Sequence, residues 1–265
     1  MRLYLGIALV LALIAPALAG EQRPEGLRDV GYDQHLGAQV PLDRQFRDET
    51  GAAVRLGDYF GDRPVVLMPA YYTCPMLCTL VFKGLVSALR PLAFDAGKEF
   101  TVVTFSFDPN DGPTQAAAKK AALLEEYRRP TAAAGWHFLT GDAASIAALT
   151  QAIGFRYAYD EAHQQYAHAS GIVVATPDGR IARYLFGIEY APKDLRLALV
   201  EASEHRIGSI VDELLLFCFH YDATTGRYGR VAIDALRAGA VATLLALGTF
   251  IALSLRRDGR RSVEG

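Results

Sequence analysis

The stretch YYTCPMLCTLVFKGL, residues 71–85, sets Cys74 and Cys78 four positions apart, where a hydrophobic run gives way to an amphipathic one. On a helix, side chains at i and i+4 share a face, so both sulfurs can aim at one point. Pro75 suits the first helical position, where its missing N–H costs nothing. Leu77, Leu80, Val81, Leu85, Val86 and Leu89 then continue at helical spacing. The pair therefore sits at a helix N-terminus, whose partial positive charge and unbonded N–H groups favour thiolate over thiol. Thiolates so placed suit either disulfide exchange or the binding of a soft metal ion. Three intervening residues, where the familiar redox motif has two, change the bite and leave room for an ion. Thiolates favour Cu(I), and an added imidazole would also accommodate Cu(II), so two cysteines and one histidine would make a copper site open to both oxidation states. A purely structural disulfide is the weaker alternative, because closing so short a loop removes little chain entropy.

The missing ligand should be a histidine, and the chain has six. His35 in the N-terminal lead-in, His205 at the end of a charged helix and His163 in the polar stretch DEAHQQ read as solvent-facing. His137, between Trp136 and Phe138, reads as a neighbour of the core. His168, in YAHASGIVV, differs because it closely precedes an apolar strand. Met76, between the cysteines, offers a soft sulfur to an ion in transit, although methionine more often simply packs. Cys218 and His220 lie two apart in LLLFCFHYDATTGRYG, residues 214–229, and would point the same way if extended. They are a candidate secondary copper station, beside the simpler reading of an interfacial aromatic belt.

Periodicity gives the elements that must position these groups. RQFRDETGAAVRL alternates around Gly51 as a hairpin would, and RPVVLMPA, residues 63–70, reads as a strand buried on both faces. EFTVVTFSFD (99–108) is a strand, TQAAAKKAALLEEYRR (114–129) a helix, GWHFLTGD (135–142) a strand and AASIAALTQAIG (143–154) a helix. GIVVATPDGRIARYLFG, residues 171–187, is a hairpin turning through Pro177, Asp178 and Gly179, and PKDLRLALVEASE (192–204) is a closing helix. Strand and helix alternate three times before an antiparallel pair, which is the pattern of an α/β domain with a mixed central sheet.

Charge and hydropathy set the frame. The 27 basic and 29 acidic residues of this 265-residue chain nearly cancel, which excludes the electrostatic footprint of a nucleic-acid binder. Arg2, the apolar LYLGIALVLALIA and the small residues at Ala17 and Ala19 read as an export signal over residues 1–19. An extended lead-in follows over 20–40, the main domain over 41–206 and an aromatic juxtamembrane segment over 207–234. AGAVATLLALGTFIALSL, residues 238–255, carries no charge and predicts a transmembrane helix over 235–256. Arg256 ends that helix, and with Arg257, Arg260 and Arg261 of a basic tail over 257–265 it forms a cluster that the positive-inside rule assigns to the cytoplasm. The expectation is a single C-terminal span in the inner membrane, holding the domain in the periplasm.

YYTCPMLC, SFDPNDGP and YAHASGIVV, in this order and at these separations, resemble the Sco/SenC family of copper-binding cytochrome c oxidase assembly proteins. The resemblance covers about residues 40–205 and implies a thioredoxin-like fold. It also implies Cys74, Cys78 and His168 as copper ligands, the histidine on a loop that approaches the cysteines. Asp108 matches the acid of the family's Asp-Pro motif near the site, with a turn role before Pro109 as the plainer reading. Thioredoxin relatives carry a cis-proline on the histidine's loop, whereas this sequence has no proline between Pro130 and Pro177. Three features depart from the family's habit: Thr79 where many relatives have proline, Ala167 where aspartate is common, and an anchor at the C-terminal end. The function implied is a membrane-tethered periplasmic copper chaperone, not an enzyme in the ordinary sense, for the dinuclear copper centre of cytochrome c oxidase. Its partner would be the oxidase's copper-bearing subunit or another copper or thiol carrier. A thiol-disulfide oxidoreductase cycling Cys74 and Cys78 is the alternative, ahead of a peroxidase-like role and of a passive interaction domain that would tolerate loss of both cysteines.

Overall fold

The computed structural model describes residues 30–74, 77–161 and 163–207, with short stretches at 221–222, 227–228, 239–241, 243–245 and 247–249. In chain order the main body runs β1 (Gly31–Tyr32), β2 (Gln45–Arg47), β3 (Ala53–Arg55), β4 (Val65–Ala70), α1 (Leu77–Leu89), β5 (Thr101–Ser106), α2 (Pro113–Tyr127) and the one-turn α3 (Ala132–Gly135). It continues with β6 (Trp136–Leu139), α4 (Ala143–Ala152), β7 (Phe155–Asp160), β8 (Gln165–His168), β9 (Gly171–Ala175), β10 (Ile181–Phe186) and α5 (Pro192–Ser203).

The core is a five-stranded sheet in the order β10-β9-β4-β5-β6. β4, β5 and β6 are parallel, joined through α1 and α2, while β9 runs antiparallel to β4 and β10 antiparallel to β9. β4 and β5 are buried at every position, as their unbroken apolar or small-residue runs require of strands covered on both faces. Proline is out of place in a central strand because it cannot donate a rung. Pro69 is tolerated because the pairing of β4 with β9 ends at Leu67 and Val173, two residues earlier. β4 stays paired with β5 through Ala70, and the Cys74 turn follows directly.

The β2–β3 hairpin turns at Gly51, whose φ of 88° needs no side chain. It covers the exposed edge of β6: Arg47 and Thr140 exchange backbone hydrogen bonds at 2.7 and 2.8 Å, and the Glu49 carboxylate accepts the Phe138 N–H at 3.0 Å. An edge strand left bare would be a template for unwanted pairing. Glu49 also pairs with Lys120 of α2, tying the hairpin to the helix behind the sheet.

Two findings differ from the sequence expectation. Residues 155–168 form an antiparallel hairpin, β7 and β8, which joins β1 in a second sheet of order β1-β7-β8. The polar DEAHQQ stretch lies in its turn, with Gln164 at a φ of 51°. The second correction concerns the membrane. Among the described residues no helix is long and apolar enough to cross a bilayer. Of the predicted span over 235–256, only 239–241, 243–245 and 247–249 are described as helical, and the rest lies outside the described residues. A span needs about 20 consecutive apolar residues to cross the hydrocarbon layer. The single C-terminal transmembrane helix is therefore not supported, nor are the inner-membrane anchoring and periplasm-facing placement drawn from it.

Candidate functional site around Cys74 and His168

Cys74 follows β4 on a tight turn closed by its own N–H, which donates to the Tyr71 carbonyl at 3.3 Å. Its side chain is buried, with 7% exposure. Tyr72 pins the turn from three sides. Its hydroxyl reaches the Leu139 carbonyl at 2.8 Å and the Thr104 carbonyl at 3.3 Å, while its N–H donates to Asp111 Oδ2 at 2.6 Å. The same Oδ2 accepts the Ser106 hydroxyl at 2.6 Å. Burial pushes the Asp111 carboxyl above the usual carboxylate range, against those two hydrogen bonds. Sequence reasoning passed over Asp111, although it stands in the SFDPNDGP motif that drew attention to Asp108.

His168 is the last residue of β8, paired with Tyr157, so a strand end presents it where a loop was expected. Its Nδ1 lies 3.0 Å from the Ala169 carbonyl oxygen. A carbonyl only accepts, so Nδ1 is the donor in this contact, which in the neutral imidazole leaves the lone pair on Nε2, the form a metal-binding imidazole needs. The ring meets Tyr71, the residue that closes the Cys74 turn, edge-on at 5.9 Å between centroids, and Phe107 at 5.1 Å. Phe107, fully buried, also touches Tyr71, Phe155, Tyr157 and Tyr166, with centroids 4.7 to 5.6 Å away. The cysteine turn and the histidine strand, remote in sequence, are thus held against one aromatic hub.

Asp108 lies at the rim of this region. Its Oδ1 accepts the Asn110 N–H and amide, each at 2.9 Å, so it builds a turn before Pro109 as an Asx residue does. The Tyr166 hydroxyl approaches the same oxygen at 3.5 Å. Both residues line an open cleft of about 500 Å³ with Tyr71, Thr73 and His163. Burial first, and then the Asp108 charge, push the Tyr166 hydroxyl up to about 12. A raised tyrosine pKa favours the neutral form in the fold, so its stabilisation is complete below pH 10 and is lost as pH rises through about 12. Asp108→Asn should lower the titration midpoint of Tyr166 without bringing it to the ordinary value, because the larger cause, burial, remains. Difference absorbance of tyrosinate between each protein and its Tyr166→Phe partner measures this, and an unmoved midpoint would refute the coupling.

A model of the SCO1/SenC family matches residues 34–201, more than half of the chain. The chain belongs to the SCO1/SenC family. A protein from Aquifex aeolicus VF5, described in terms of electron transfer, is 29% identical with a TM-score of 0.57, the match covering 64% of this chain and 95% of that one. A SCO1/SenC family lipoprotein from Bacillus anthracis str. Ames (18% identity, TM-score 0.52) and Arabidopsis thaliana ScoI, solved with copper bound (16% identity, TM-score 0.50), share the fold. Each of these two matches covers 64% of this chain and 99% of the other. No match was found among curated proteins.

For this SCO1/SenC chain the other described histidines, His35, His137, His163 and His205, fall where the sequence put them. His35 and His205 are exposed, the latter 3.1 Å from Asp178, and His163 pairs with Asp160 at 2.7 Å in the hairpin turn. His137 packs under the Tyr59 ring at 4.4 Å, and burial, helped by the Lys120 charge, lowers its pKa. Cys78 belongs to the first turn of α1, and its side chain lies outside the described residues, as do Met76, Cys218 and His220. Among the described side chains, to which that of Cys78 does not belong, no three of His, Cys, Asp or Glu form a metal cluster.

Proposed function

We propose that this SCO1/SenC chain binds copper as cargo through Cys74, Cys78 and His168 and delivers it in the assembly of the dinuclear copper centre of cytochrome c oxidase. The observation that supports this most directly is the shared aromatic hub: Tyr71 closes the Cys74 turn and packs against His168. One imidazole thereby packs on the residue that closes the Cys74 turn, and an Nδ1–H donated to Ala169 would leave its lone pair on Nε2. Two thiolates and an imidazole are a donor set that serves both Cu(I) and Cu(II). The cleft lined by Tyr71 and Thr73 gives a partner's thiolates a route to the Cys74 turn, as ligand exchange requires. Asp108 serves this site by shaping its rim, and Met76 offers a passing ion a soft sulfur. The partner is the copper-bearing subunit of the oxidase or another copper carrier.

Titration of His168→Ala with each oxidation state tests this reading. Cu(I) should remain bound through the thiolates, whereas Cu(II), which leans on the imidazole, should lose its tight site. Wild-type affinity for both ions in the variant would remove His168 from the ligand set. A second reading, thiol-disulfide exchange by Cys74 and Cys78, draws support from the Aquifex relative described in terms of electron transfer. In that case the same variant keeps its exchange rate and the wild-type protein shows no tight copper site.

A further inference from the structure

Asp111 holds the cysteine turn from the loop between β5 and α2. It is buried, at 6% exposure, one residue before the Gly112 that caps α2. Its Oδ2 takes two hydrogen bonds, from the Tyr72 N–H and the Ser106 hydroxyl, each at 2.6 Å. Its Oδ1 is buried and has no hydrogen-bond partner among the described residues. A buried polar oxygen without a partner costs stability. Against that cost stands the atom its other oxygen holds.

That atom is the backbone N–H of Tyr72, in the turn that ends at Cys74. Ser106 joins in from the end of β5, where its hydroxyl also accepts the Asp108 N–H at 3.1 Å. One carboxyl thus ties the β4 turn, the end of β5 and the approach to α2 into a single unit. We propose that Asp111 is a positioning residue for copper binding: through the Tyr72 N–H it fixes the turn that aims Cys74, and it acts through that hydrogen bond, not as a ligand. The proposal rests on the copper reading above.

Groups that orient metal ligands from the next layer out typically change affinity about 10–100-fold when lost. In the full chain, Asp111→Ala should weaken Cu(I) binding by about tenfold or more. Asp111→Asn, which keeps an acceptor for the Tyr72 N–H, should recover most of that loss. Recovery by the amide is the readout a general loss of stability would not give. Metal-free reduced protein supplies a second readout, the alkylation rate of the cysteines by iodoacetamide, which should change in Asp111→Ala and return in Asp111→Asn. Should Asp111→Ala fail to fold, Asp111→Asn decides: near wild-type affinity supports the proposal, and a folded variant with the affinity lost overturns it. Unchanged affinity and alkylation in Asp111→Ala also overturn it. A wild-type chain without a tight copper site sinks the copper reading instead, and the alkylation rates then decide whether Asp111 still sets the Cys74 turn.

Discussion

Replacing Cys74 and Cys78 together by serine should abolish tight Cu(I) binding in the full chain while leaving the fold in place. The argument starts from ligand softness: a serine hydroxyl is a hard, neutral donor at working pH, and Cu(I) selects thiolates. Loss of an outer-layer partner alone costs about 10–100-fold in metal affinity. Loss of two direct ligands must exceed that range, and competition against a Cu(I) chelator would show it as a complete transfer of copper to the chelator. Folding should survive because the turn is held by groups the substitution does not touch. The Tyr72 hydroxyl on Leu139 and its N–H on Asp111 remain, as does the apolar face of α1 with Leu85, Val86 and Leu89 buried. Cys74 is itself buried, so exchanging its sulfur for a smaller polar oxygen costs some stability, on the order of 1–3 kcal/mol if the hydroxyl finds no partner. Thermal unfolding separates that cost from the copper effect. A serine double variant that holds Cu(I) as tightly as the wild type would place the binding elsewhere and end the proposal.

The sequence pointed to candidate ligands more readily than to the architecture that positions them. Cys74 and its helix could be read because their signals are local: a proline, a spacing of four and an apolar stripe on α1. β4, β5, β6, the β9–β10 hairpin and α5 were legible for the same reason, each having a period or a turn of its own. His168 could be singled out, but not the means of its approach. β7 alternates imperfectly, with a single buried residue at Phe155 and half-buried positions after it, so one-sided burial did not announce a strand. Its pairing with β1 is a long-range contact between two-residue and six-residue segments, which carries no local pattern. Phe107 and Asp111 look like the end of a strand and a turn residue until the turn of β4 is laid across them. The apolar run near the C-terminus shows the opposite failure. Uncharged length was read as a span, and no described helix has the length that reading needs.

Phe107→Ala should be the most disruptive single change outside the ligands, because it removes the surface on which both halves of the site rest. Truncating a fully buried phenylalanine costs about 3–5 kcal/mol, through lost transfer energy and the cavity left behind. Five rings lose a common neighbour, among them Tyr71 of the cysteine turn and His168. Such aromatic pairs each contribute about 0.5–1.5 kcal/mol beyond their buried area, so the imidazole's orientation should loosen as stability falls. Trp136→Ala is the matching control. Trp136 is as completely buried and stacks on Phe138 and against Tyr127, but among the described residues its ring meets neither Tyr71 nor His168. Both variants should lose comparable stability in urea unfolding, and Phe107→Leu keeps a milder version of the defect in a folded chain. Cu(II) affinity should fall for the Phe107 variants and hold for folded Trp136→Ala, since only the former unseat the imidazole. Equal losses of affinity in both series would mean that the hub transmits nothing specific and that copper binding follows global stability.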